Sequence, residues 1–215
     1  MLSRAGIVVA VLSFFTSVGL GQENRYDVSL GGAGVFSKQS TGNGTTQTPT
    51  QAGAFLATGR VRFTPRSSVE LNYARVKNSQ NYASGVNDYR IQGLISEFTG
   101  AYVVSFHQTD KLEPFAFGGG GVLVFNPETT QINTVPTALG AMRQTKPAFL
   151  YGAGVDCKVF SILPIISQLP HASNVALRLQ YRGLVYQAPD FRVANLFTGA
   201  RGHMAEPSIG LVVKF

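Results

Sequence analysis

The sequence contains one cysteine, Cys157, and no tryptophan. A single thiol can neither close an intramolecular disulfide nor build a thiolate metal cluster, so disulfide-stapled and cysteine-zinc architectures are excluded. Charged residues make up 13% of the 215 positions, roughly half the share of about 25% found in soluble domains. Beyond the N-terminal segment no stretch holds the roughly 18 consecutive apolar residues that a membrane helix needs. The net charge is +7, but the basic residues form neither a run nor a helical stripe, and composition makes no case for nucleic-acid binding. Pairs such as Arg60 and Arg62, or Arg178 and Arg182, instead sit an even number of positions apart in apolar segments. That spacing puts both members on one face of a strand.

The N-terminus reads as a targeting segment. Arg4 supplies a basic start, Ala5 to Phe15 is almost wholly apolar, and Gly19-Leu20-Gly21 offers small residues where signal peptidase reads. The apolar run is too short to cross a hydrocarbon core of about 30 Å. A cleaved signal peptide is therefore expected over residues 1–21, with Gln22 opening a single mature domain, 22–215. No cysteine precedes the cut, so a lipoprotein anchor is not expected.

What the mature chain does contain is alternation with period two. Tyr26, Val28, Leu30 and Phe36 share a phase with Gly32 and Gly34, opposite Asp27 and Ser29. Phe55, Ala57, Val61 and Phe63 alternate with Thr58, Arg60 and Arg62. Val69, Leu71 and Tyr73 oppose Glu70 and Asn72; Phe98, Tyr102, Val104 and Phe106 oppose Glu97, Thr99, Ser105 and His107. Phe115, Phe117, Leu123 and Phe125 form a fifth row, and Phe149, Tyr151 and Val155 a sixth, opposite Asp156. Val175, Leu177, Leu179, Tyr181 and Val185 face away from Arg178, Gln180 and Arg182. The last row is Ile209, Leu211, Val213 and Phe215. Runs near 10 residues with this period match strands that cross a bilayer at a tilt, and helical spacing fits none of them.

The connections alternate in length. Thr64–Ser68 and Gln108–Lys111 are short, whereas Ser37–Gln51, Asn78–Arg90, Asn126–Lys146 and Gln187–His203 are long and polar or glycine-rich. Short turns on one side and long loops on the other belong to a barrel of the outer membrane. The apolar connection 160–173 departs from that pattern. A soluble sandwich is the competing fold, but its strands are usually shorter.

An exported chain that leaves apolar rows in water aggregates, and strands in lipid must have every backbone amide paired. A sheet closed on itself satisfies both. The expected fold is all-β: an eight-stranded, antiparallel, up-and-down transmembrane barrel, whose interior is about wide enough for side chains to fill. The opposite phase then forms an interior polar network: Asp27, Arg60, Arg62, Glu70, Glu97, Asp156, Arg178, Arg182, Glu206 and Lys214, with His107 alongside. Mixed signs suit a dry interior, where charges must be paired. A gated pathway through the same residues is the alternative. Gly118–Gly121 is read as permitting curvature and close approach within a strand. A phosphate cradle would need a following helix.

With eight alternating rows, short–long connections and a C-terminal "EPSIGLVVKF", the mature chain resembles small outer-membrane β-barrels of the OmpA/OmpX type. The resemblance covers residues 25–215 and rests on architecture and the last strand. It implies that Phe215, with Val213, Leu211 and Ile209 in phase, is the signal read by the barrel-assembly machinery during insertion. It implies residence in the cell outer membrane, with lipid and lipopolysaccharide as partners, a monomer, and no cofactor, metal or nucleic acid. The missing tryptophan departs from the usual aromatic girdle, which tyrosine and phenylalanine would supply. No peptidoglycan-binding domain follows, so no wall-anchoring role is implied.

An enzyme is the third class considered. "HASN" at His171–Asn174 resembles the His-x-Ser-Asn pair of a lipid A deacylase family, with Glu206 as the acidic partner. The expected topology puts His171 and Glu206 near opposite ends of the barrel, far beyond the hydrogen-bond reach a catalytic set requires. His107 and His203 lack metal-ligand spacing. Lys38, Arg90, Arg143, Lys146, Arg192 and Arg201 in the long loops could meet lipopolysaccharide phosphates by charge-assisted hydrogen bonds. The expected function is a structural, adhesive or surface-interaction role with a mostly plugged interior. A small pore and a lipid A-modifying enzyme are the alternatives.

Overall fold

Strands form where β-branched and aromatic residues alternate with polar ones, and here they do so eight times along the chain. The computed structural model describes residues 25–106, 109, 111–158 and 174–215. The expected signal peptide, His107, and the 160–173 connection with His171 and Ser173 lie outside the described residues. The strands are β1 (Tyr26–Ser37), β2 (Ala52–Thr64), β3 (Ser67–Ser84), β4 (Asn87–Ser105), β5 (Leu112–Ile132), β6 (Gln144–Lys158), β7 (Val175–Gln187) and β8 (Arg201–Lys214). Each pairs antiparallel with its sequence neighbours, and β8 pairs back onto β1. The result is a closed eight-stranded up-and-down barrel.

Register fixes the shape. From Tyr26, cross-strand partners run through Val61, Val69, Tyr102, Gly118, Tyr151, Gly183 and Ala205 and return to β1 at Phe36, ten residues along the same strand. This stagger goes with the strand tilt of about 35–45° that closes narrow barrels. The outer face of the wall is the apolar phase, including Leu30, Phe55, Phe63, Leu71, Phe98, Phe149, Ile209 and Leu211, all exposed. Exposed Tyr26, Tyr102, Tyr151 and Tyr181 supply amphipathic rings on the same face.

β5 departs from the expected phase. Phe115, Phe117, Leu123 and Phe125 point inward and are buried, while Ala116, Gly118, Gly120 and Val122 occupy the outward phase. Both phases of this strand are apolar, so hydropathy cannot choose between them. Glu113, buried in phase with Phe115, decides it, because a carboxylate facing lipid would have no partner. The glycine run serves close approach: a Cβ on Gly119 would stand 2.0 Å from the Gly100 carbonyl oxygen, and one on Gly121 2.1 Å from that of Phe98.

The connections differ from the expected lengths as well. Residues 78–90 form no loop: β3 and β4 continue to a two-residue turn at Gly85-Val86, where Gly85 takes φ +61°. Those strand ends are mostly polar, with Tyr82 and Tyr89 the only hydrophobics buried on the inward face, so their pairing leaves little hydropathy signature. Within 38–51, Ser40–Gly42 and Thr45–Pro49 make a hairpin that adds to the edge of β3. Its turn, Asn43-Gly44, has left-handed φ at both residues, the backbone that a type I′ hairpin demands. β5 runs on to Ile132, and its tip pairs with Val135–Pro136. Strands β3 to β5, at 18, 19 and 21 residues, thus rise well beyond their neighbours at the end opposite the termini.

Candidate functional site

The odd-numbered phase of β1, the even-numbered phase of β2, and the matching phase of the other strands deliver charges into the lumen at the end that bears the termini. Arg178 on β7 faces Asp156 on β6 in register and donates to it twice, Nε to Oδ1 at 2.7 Å and Nη2 to Oδ2 at 2.9 Å. The same guanidinium donates to Asp27 on β1 at 3.2 Å and stands 3.7 Å from Glu70 on β3. Arg60 on β2 donates to Glu70 from Nη2 at 2.7 Å and Nε at 3.1 Å. On the other side, Lys214 on β8 lies 3.3 Å from Asp156 and donates to Glu113 on β5 at 2.6 Å. Arg62, the least buried member, closes the chain by donating to Glu113 at 2.6 Å. Ser105 on β4 also donates to Glu113, at 3.5 Å, so all eight strands contribute to one network.

The Phe115 ring lies within this layer, 4.3 Å from the Arg60 guanidinium carbon and 5.2 Å from that of Arg178. Two cations against one ring are held by its quadrupole as well as by their carboxylates. Alternating signs and multiple donors per carboxylate are what a buried ionic layer needs, since an unpaired charge here would be costly.

A second cluster sits further from the termini. Arg182, fully buried, is hydrogen-bonded to Glu97 across the lumen and lies 3.4 Å from Glu206, its register partner on β8. Thr99 donates to Glu97 at 2.9 Å. Beyond it the lumen turns apolar: Leu123, Phe125, Leu150, Leu184 and Met204 are buried side by side.

The connection from β7 to β8, residues 188–200, folds over the mouth. Phe191 and Leu196, the latter in a single 3₁₀ turn (Ala194–Leu196), bury their side chains there. Phe191 meets the edges of Tyr82 and Phe125 at centroid distances of 6.5 and 6.3 Å. Phe191 and Arg192 both take left-handed φ, 51° and 60°, which non-glycine residues adopt only when their surroundings hold them. The hold is polar. The Gln144 carbonyl oxygen accepts from the N–H groups of Asp190 (3.0 Å) and Phe191 (2.9 Å), while its amide donates to the Asp190 carboxylate. Tyr82 donates to the Pro189 carbonyl at 2.7 Å. Burial alone would raise the Asp190 carboxyl, but the hydrogen bonds from Gln144 and the Arg192 N–H hold it below the usual carboxylate range.

The residues singled out from sequence therefore fall into two places. Asp27, Arg60, Arg62, Glu70, Asp156, Arg178 and Lys214 share the first network; Glu97, Arg182 and Glu206 share the second. Glu113, which joins Arg62 to Lys214, was not on that roster, because the inward phase of β5 is mostly aromatic. Of the basic residues assigned to loops, Arg143 and Arg192 are exposed loop residues and Lys38 is exposed just beyond β1. Arg90, Lys146 and Arg201 instead lie on β4, β6 and β8, with Lys146 half-buried. The reason is the strand extension above the expected loop boundaries. His203, on the outer face, pairs its Nε2 with the Tyr151 hydroxyl at 2.8 Å. Ile209, Leu211, Val213 and Phe215 line the outer face of β8 and its end.

The closed barrel is shared with solved structures. Neisserial surface protein A aligns with a TM-score of 0.54 at 16% identity, over 88% of this chain and 97% of its own. OprG from Pseudomonas aeruginosa aligns with a TM-score of 0.51 at 15% identity, over 90% and 97%. This chain has the fold of the small outer-membrane barrels. Neither a protein-family model nor a curated protein matches its sequence. At such identities the likeness speaks for the barrel alone, and the role must be argued from the surfaces this barrel presents.

Proposed function

We propose that this barrel resides in the outer membrane with both termini on the periplasmic side and acts there as a structural and surface-interaction protein, not as a channel or an enzyme. The observation that supports this most is the occupied lumen: ionic layers toward the termini, an apolar layer above them, and the 188–200 connection across the mouth. A barrel filled in this way has its outer surface and extended rim available for interaction. The rim is the tall β3–β5 wall, with the Ser40–Pro49 hairpin at its edge.

On this reading Lys38, Arg90, Arg143, Arg192 and Arg201 meet phosphate groups of lipopolysaccharide, Lys146 being too enclosed to contribute fully. Ile209, Leu211, Val213 and Phe215 present the row by which the assembly machinery recognises the last strand, and the protein works as a monomer. The test is surface accessibility in intact cells. A reactive tag placed at Val86, on the β3–β4 tip, should label without permeabilisation. Labelling only after permeabilisation would reverse the orientation and remove the surface role.

A further inference from the structure

The lipid-facing wall is not evenly covered. Across β2 to β5, Gly59, Leu71, Gly100 and Gly120 are consecutive register partners. Three of these four positions lack a side chain on the outward phase. Above them Tyr73 and Phe98 pair, ring centroids 5.1 Å apart. The outcome is an apolar groove of about 620 Å³, with Gly59, Gly100 and Gly120 as floor and Leu71, Tyr73 and Phe98 as walls. That volume falls in the range of roughly 300–1,000 Å³ typical of small-molecule sites. Leu71, at 68% exposure, borders the groove without filling it.

The same face of β3 changes character abruptly. Leu71 and Tyr73 are followed in phase by Arg75 and Lys77, both exposed. Leu71 and Arg75 are four residues apart, about 13 Å along an extended strand. Lys77 lies 3.1 Å from Glu128, whereas Arg75 has no ion-pair partner among the described residues. Ser96, whose hydroxyl can donate, is the register partner of Arg75 on β4. A tail-sized groove thus leads, on one wall, into a free guanidinium at the depth where the apolar surface ends.

We propose that this wall binds one phosphorylated, acylated lipid of the outer leaflet, with an acyl chain in the groove and a phosphate on Arg75, supported by Lys77 and Ser96. The assignment rests on the outer-membrane reading for its orientation only. A second copy of the chain fits less well, because two such faces would oppose Arg75 to Arg75 or leave it facing lipid tails.

The test is native mass spectrometry of the full-length protein refolded in detergent, offered diphosphoryl lipid A, its fully dephosphorylated form and phosphatidylcholine. Folding is checked in each sample by the heat-modifiable gel shift, so that loss of binding is separated from loss of the barrel. One diphosphoryl lipid A should be retained in preference to the other two. Arg75→Ala, on the exposed face, should weaken retention roughly tenfold, as removal of a charge-assisted phosphate contact does. Gly59→Leu should weaken it too by filling the groove, since nothing lies within 4 Å of a Cβ at that position. Equal retention of phosphatidylcholine, or retention untouched in both variants, would overturn the proposal. So would protein dimers that Gly59→Leu dissolves while lipid adducts persist.

Discussion

Arg178 and Asp156 face one another across β7 and β6, joined by two hydrogen bonds of 2.7 and 2.9 Å, and neither side chain reaches solvent. Asp156 also holds Lys214, and Arg178 also holds Asp27, so the pair is the junction at which the two arms of the lower network meet. Removing one partner of a buried ion pair strands the other, which typically costs about 3–5 kcal/mol. Arg178→Met should therefore destabilise the refolded barrel by about that amount, read from urea unfolding in lipid vesicles. Combining it with Asp156→Leu should recover part of the loss, because replacing both charges removes the stranded carboxylate. A double variant as unstable as the sum of the singles would mean that the two residues act independently.

The lid over the mouth should respond to acid. The Asp190 carboxyl is held below its ordinary range when the connection is folded, so its stabilising effect is present above the carboxylate pKa of the open loop, about 3.9. That effect is lost as pH falls through the lower, folded value. Protection of the amides of residues 188–200, taken relative to their intrinsic exchange rate at each pH, should fall near pH 3 compared with pH 6, and Asp190→Asn should abolish the difference in protection. An unchanged pH response in that variant would place the sensitive group elsewhere.

Phe191 should be the lid's apolar anchor. Phe191→Ala vacates the space between Tyr82 and Phe125, and buried phenylalanine truncations cost about 3–5 kcal/mol. Faster proteolysis within 188–200, with the gel shift of the barrel unchanged, is the expected result. Loss of the whole barrel would show that the lid and the wall fold as one unit.

The glycine run offers a position-by-position contrast. Gly119→Ala places a Cβ against the Gly100 carbonyl, whereas a Cβ on Gly118 meets nothing within 4 Å. Folding yield should fall sharply for the first and stay near wild type for the second. Equal yields would mean that the wall relaxes without the close approach.

How much of this was legible beforehand depends on where hydropathy carries information. In β1 to β4 and β6 to β8 one phase carries charge toward the termini while the other is apolar there, so strand existence and the inward phase follow from period two. In β5 both phases are apolar, and only Glu113 breaks the tie, through partners brought from β2 and β8. The tips of β3 and β4 are mostly polar, with Tyr82 and Tyr89 too isolated to mark a row, so Asn78–Arg90 reads as a loop although its backbone pairs on either side of the Gly85-Val86 turn. Register lies outside the reach of alternation altogether. That Arg182 reaches Glu97 across the lumen follows from the ten-residue stagger, which no local pattern encodes. The Ser40–Pro49 hairpin, read from sequence as part of a long loop, did carry a local signal in its Asn43-Gly44 dipeptide.

Deletion of Phe215 tests the reading of the last strand. Assembly in cells should fail or slow while refolding of the purified protein in detergent stays near normal, because β1–β8 pairing already runs from Asp27 and Lys214 inward. Unimpaired assembly would remove the recognition role and leave the barrel as described.

The filled lumen is the central claim, and single-channel recording in planar bilayers addresses it most directly. Bilayers holding the refolded barrel should show no steady open level. Stable nanosiemens-scale conductance from the same preparation would contradict it.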